Sequence, residues 1–195
     1  MPGRRRPGWT GVRTLIHDQA DPDWLLRPEV GDGLALLERG GVPFDVISVL
    51  PRHLSHVPVL SKRYPALRMV LDHLSHPPLG GADTSEWRAL ITEAARNPLV
   101  FAKVSGLYPA DPSWTAADLR DVVEFAVDLF GPDRLMFGSD WPVAELGGGY
   151  AKVRAELTRL FDQLPPAGRE AVLGGTATRF YALGTPAGDA GRPGR

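Results

Sequence analysis

"RLMFGSDWPV", residues 134–143, sets a short apolar run (Leu135, Met136, Phe137) against an abrupt glycine, a serine, a carboxylate, and then Trp141 and Pro142. Such a run, closed by Gly and Pro, reads as a buried strand. A core strand gains nothing from a carboxylate at its tip, because an unpartnered charge is expensive to bury. A site assembled from strand ends does need one.

The same grammar repeats upstream. "TGVRTLIH" (10–17), "PFDVISVL" (43–50), "LRMVLDH" (67–73) and "LVFAKVSG" (99–106) read as strands. Between and after them the chain turns helical. Residues 29–41 end at Gly40-Gly41, a helix lies before Pro65, and residues 84–98 open on Thr84 and Ser85. Residues 115–131 run from Thr115 to Gly131, residues 150–164 stop at Pro165-Pro166, and residues 168–184 are weakened by Gly174-Gly175. Capping residues at the starts and glycine or proline at the ends set these bounds. Five strand–helix units follow one another, and most of the strands are near-continuous apolar runs, as parallel strands buried on both faces should be. The class is α/β, either an open doubly wound sheet or a (β/α) barrel. No glycine-rich phosphate loop follows a strand: "GVRTL" is no GxGxxG, and "LGGGY" lacks the Lys-Ser/Thr of a P-loop.

Composition narrows the function classes. A net charge of -1 gives no field for nucleic acid or an anionic membrane. No apolar run approaches the roughly 18 residues of a membrane span. Zero cysteines exclude disulfides, thiolate metal sites and cysteine nucleophiles, and fit a cytoplasmic protein. Residues 1–8 and 185–195 read as disordered tails flanking a partial barrel domain over 9–184.

Polar residues collect where the strands end: His17, His53, His73, Ser105 and Asp140. His17, His56 and His76 taken singly read as loop or surface residues. Two imidazoles and a carboxylate on parallel strand ends would converge on one point, a metal or hydrolytic constellation.

"VLDHLSHPP", "KVSGLY" and "GPDRLMFGSDWPV" together resemble the amidohydrolase-related family, the second amidohydrolase group, whose members include fuconolactonase-like sugar lactonases. "GWTGVRTLIHDQADPDWL" and "LPRHL" resemble its middle strands, so the likeness runs from about Trp9 to Leu183. The resemblance implies a (β/α)8 TIM-type barrel that hydrolyses a lactone or a related carbonyl compound, a small-molecule substrate. It places functional histidines at His53 and His73 and the essential aspartate at Asp140. Asp140 would take a proton from water. His53 and His73 would polarise the carbonyl, directly or through a divalent metal such as zinc held by His53, His73 and Asp140. Arg13 and Lys103 would hold a substrate carboxylate or hydroxyl, unless Lys103 instead forms an interior ion pair, and Trp141 would wall the pocket. A metal-dependent decarboxylase of the same superfamily and an inactive barrel fragment are the alternatives.

The chain departs from the family in two places. The His-x-His strand that opens family members is absent, and Thr14 stands where many relatives have histidine. Five units cannot close an eight-stranded barrel. About three units, the first included, are therefore expected to be missing. The margins near residues 10–17 and 134–139 should then expose unpaired backbone and favour self-association.

Overall fold

The computed structural model describes residues 10–109, 111 and 113–184. Both expected tails lie outside the described residues. Five parallel strands form one sheet in sequence order. They are β1 (Val12–Thr14), β2 (Phe44–Val46), β3 (Met69–Leu71), β4 (Val100–Val104) and β5 (Leu135–Phe137). The helices are α1 (Pro28–Gly40), α2 (Pro51–Arg63), α3 (Ser85–Ala95), α4 (Ala116–Phe130), α5 (Tyr150–Arg159), α6 (Pro166–Glu170) and α7 (Thr176–Tyr181). This is a strand–helix alternation around one five-stranded parallel sheet, the arrangement of part of a (β/α) barrel.

Register decides what each face of the sheet holds. Arg13 pairs with Asp45, Asp45 with Val70, Val70 with Phe101, and Lys103 with Met136. Side chains alternate along a strand, so these residues share one face. The other face carries Phe44, Val46, Met69, Leu71, Val100, Ala102, Val104 and Leu135, which join the buried residues of the helices in the main core. The first face is different: Val70 and Met136 pack with Phe180 of α7, flanked by Phe101 and Tyr181. The C-terminal helix therefore seals the inner face, and the Arg68 guanidinium donates to the Phe180 carbonyl to hold it there.

Local rules account for most boundaries. Pro at the first turn opens α1, α2 and α6, where its missing N–H is no loss. Gly41 ends α1 in the left-handed conformation. The Thr115 N–H donates to Asp118 at 2.7 Å at the start of α4. Three expectations are corrected. α2 starts at Pro51, so His53 rides on the first turn of a helix and not on a strand end. The expected single helix over 168–184 is α6 and α7 joined by a π-turn over Ala171–Gly175, where Gly174-Gly175 relaxes the helical spacing. The β5 margin is not bare: residues 171–175 pack against it, and Leu135 and Met136 are fully buried. At the β1 margin Arg13 is exposed. Among the described residues no helix is long and apolar enough to cross a membrane.

Candidate functional site

Three strand ends meet at His73, Ser105 and Asp140. Beyond β3 the chain makes a tight turn in which His73, Leu74, Ser75 and His76 all have positive φ, between 49° and 58°. Each non-glycine residue in this region costs about 1–2 kcal/mol, so the surroundings must hold the turn. Trp87 Nε1–H donates to the Leu74 carbonyl at 2.8 Å, and His76 Nδ1 lies 3.0 Å from the Ser48 carbonyl. A carbonyl only accepts, so His76 carries its proton on Nδ1 and leaves Nε2 as the bare nitrogen when neutral. The His73 and His76 rings meet edge to face at 5.1 Å.

His73 Nδ1 lies 2.9 Å from Ser105 Oγ, and His73 Nε2 lies 3.6 Å from Asp140 Oδ1. Asp140 is itself held at φ 54°, and its other carboxylate oxygen accepts from the Tyr108 hydroxyl at 3.2 Å. The His73 and Asp140 side chains are 13% and 17% exposed, enclosed yet reachable. Gly106, at φ 60°, makes this packing possible: a Cβ there would fall 2.7 Å from His73 Cγ and 3.1 Å from Asp140 Oδ2. Burial, and then the charge of Asp140, push the Tyr108 phenol well above its ordinary value. It stays a donor.

Beneath this cluster lies a charged layer. Lys103 Nζ sits 2.6 Å from Asp45 Oδ2 and 2.8 Å from Asp72 Oδ1. Tyr181 OH donates to Asp45 at 2.8 Å, and Arg13 Nη1 is 3.5 Å from Asp72 Oδ2. Of the two sequence readings of Lys103, the interior ion pair is the one these contacts show. Arg13 remains half-exposed beside it, and Trp141, 68% exposed, stands on the lip beyond Asp140.

His53 does not join the cluster by any hydrogen bond or ion pair among the described residues. It is buried in α2, its Nδ1 has no partner, and burial, followed by the electrostatic influence of His56 and His17, holds its imidazole below the usual value. His56, expected at the surface, is buried and donates from Nε2 to Asp23 at 2.9 Å. Among the described residues no three of His, Asp or Glu gather as a metal-holding group. The expected set of His53, His73 and Asp140 is therefore not assembled: His73 and Asp140 stand together without it. Sequence reading missed Tyr108, although the glycine directly after Ser105 was a signal that the chain turns back toward the site.

Burial is the largest cause holding the His53, His56 and His76 imidazoles below their usual value. The folded protein keeps them neutral, whereas the unfolded chain binds their protons near pH 6.5. Stability is therefore fully present above about pH 6.5 and falls as the pH drops below it. Asp45, pushed up mainly by burial, works in the opposite direction. Thermal midpoints should fall between pH 7 and pH 5, and the fall should shrink in His53→Gln. The same fall in the variant would take His53 out of the account.

The amidohydrolase family model matches residues 4–183. The L-fucono-1,5-lactonase of Burkholderia ambifaria is 35% identical over 190 residues, spanning 95% of this chain and 65% of its own. The enzyme of the same name from Burkholderia multivorans is 38% identical over 195 residues, spanning 91% and 64%. A crystal structure of an amidohydrolase from Burkholderia multivorans with bound zinc superposes with a TM-score of 0.80 at 38% identity, covering 88% of this chain and 64% of that one. The chain thus spans just under two thirds of the length of these relatives.

Proposed function

The chain belongs to the amidohydrolase family, and from that premise we propose that its His73–Asp140 site opens a sugar lactone by water attack on the ring carbonyl. One observation carries the reading. A carboxylate on a left-handed backbone at the end of β5 is half-enclosed against an imidazole from the end of β3. Strained residues of this kind cluster at functional sites, and barrel enzymes place their chemistry at these strand ends.

Asp140 Oδ1, the oxygen that Tyr108 leaves free, takes a proton from water. The water oxygen bonds to the carbonyl carbon. Ser105 Oγ–H donates to His73 Nδ1, which keeps the other ring proton on Nε2 to stabilise the developing oxyanion. The ring C–O bond then breaks, the leaving alkoxide recovers the proton from Asp140, and a hydroxy acid is released. Arg13 and Trp141 are placed to contact the substrate from the rim, and Lys103 is assigned to holding Asp45 and Asp72.

Zinc named in a relative's crystal would need donors beyond His73 and Asp140. The described residues add no third, so the residues present do not fit it. Hydrolysis is favoured over decarboxylation because the relatives above 30% identity carry lactonase names.

The test is a pH-indicator assay over a panel of sugar lactones that includes L-fucono-1,5-lactone. Acid release above the spontaneous rate is expected with at least one of them. A panel hydrolysed no faster than in buffer alone would refute the reading.

A further inference from the structure

We propose that Tyr108 is a positioning residue for Asp140, a clamp that fixes the carboxylate in the one orientation from which it can act. The inference rests on the reading of Asp140 as the base, and it deepens that reading.

The clamp is built from two loops that approach each other across β4 and β5. After β4 the backbone reverses at Gly106, and the next residue, Leu107, is buried, so Tyr108 starts from an anchored position. Its ring then lies against the backbone of Gly147 in the loop after β5. A Cβ at Gly147 would fall 2.8 Å from Tyr108 Cε1 and 2.9 Å from its Cγ. That loop is tied in turn. Trp114 Nε1–H donates to the Gly147 carbonyl at 3.0 Å, and the Ala144 N–H donates to the Asp140 carbonyl at 2.9 Å. The aromatic ring is therefore held on one side by a glycine that leaves it no spare room. Its hydroxyl is delivered to Asp140 Oδ2 at 3.2 Å.

The consequence follows from the chemistry of a carboxylate. Left alone, Asp140 could swing its carboxylate about the Cα–Cβ bond among the staggered side-chain rotamers, each with different partners. With Oδ2 engaged by the phenol, Oδ1 is the oxygen turned toward His73 Nε2. Alignment of a catalytic group accounts for a large part of rate enhancement, and small misplacements cost up to about a hundredfold.

Two variants separate the hydroxyl from the ring. Tyr108→Phe keeps the packing and removes the donor. Gly147→Ala keeps the donor and pushes the ring. Three-bond couplings from the Asp140 side-chain Cγ to the backbone N and C′ report the side-chain rotamer, and the lactone assay reports kcat and KM. In the wild-type chain Asp140 is expected in one rotamer. In each variant the couplings should average, with kcat lowered about tenfold to a hundredfold and KM changed less than twofold. A single unchanged Asp140 rotamer in Tyr108→Phe would overturn the proposal, as would an unchanged kcat. If the wild-type chain opens no lactone, the lactonase reading fails, and the rotamer measurement by itself decides whether Tyr108 holds the carboxylate.

Discussion

Asp140→Asn is expected to lower lactone hydrolysis by about 100- to 10,000-fold, the usual range for loss of a general base. The reason is specific to this position. The amide keeps the shape of the carboxylate and can still accept from Tyr108, but it cannot take a proton from water. Asn is also among the few residues that tolerate the positive φ found at Asp140. The thermal midpoint should therefore stay near that of the wild-type chain. Asp140→Ala is the poorer test, since it adds backbone strain to the loss of the base. Initial rates in the indicator assay, read beside a thermal melt, check both halves. Turnover near that of the wild-type chain with the fold intact would remove Asp140 from the mechanism.

The part of this site that is legible in the sequence follows from local signals. Asp140 and His73 were legible because each ends an apolar run closed by Gly or Pro, and parallel strands bring such ends together. His53 was misplaced for a physical reason. "FDVISVL" is β-rich over its whole length, but only Phe44–Val46 pairs, and Pro51 starts a helix that carries His53 into the core. The left-handed turn over 73–76 left no trace in the sequence, because it contains no glycine and is imposed by Trp87, Ser48 and Ser105 from other elements. The covering of the inner face by α7 was equally hidden. The apolar residues Phe180 and Tyr181 mark a buried side without saying which layer it meets.

Arg13, Asp45 and Lys103 are a middle case. Charged residues at inward positions of apolar strands signal an interior network, but partners emerge only from the register. That network now carries the strongest stability prediction. Lys103→Met should destabilise the fold by about 3–5 kcal/mol, because breaking a buried pair leaves an uncompensated charge. Here two carboxylates lose their ammonium: among the described residues Asp45 keeps only the Tyr181 hydroxyl, and Asp72, 1% exposed, keeps only the longer 3.5 Å contact with Arg13. For a chain of this size the thermal midpoint should fall by about 6–20 °C.

The pH dependence distinguishes this mechanism from loss of packing. The charges of Asp72 and Asp45 hold the Lys103 ammonium above its ordinary value against the pull of burial. Its contribution is therefore complete below about pH 10.5, the unfolded value, and is lost as the pH climbs beyond it. Burial pushes Asp45 upward, and removing Lys103 removes the main charge opposing that push. Acidification then neutralises Asp45, so the gap between the two proteins should narrow between pH 7 and pH 5. Asp45→Asn added to Lys103→Met should recover part of the loss at pH 7. A midpoint within about 2 °C of the wild-type chain, less than 1 kcal/mol for a protein of this length, would show that the charged layer does not hold the strands. A gap constant with pH would assign the loss to packing instead.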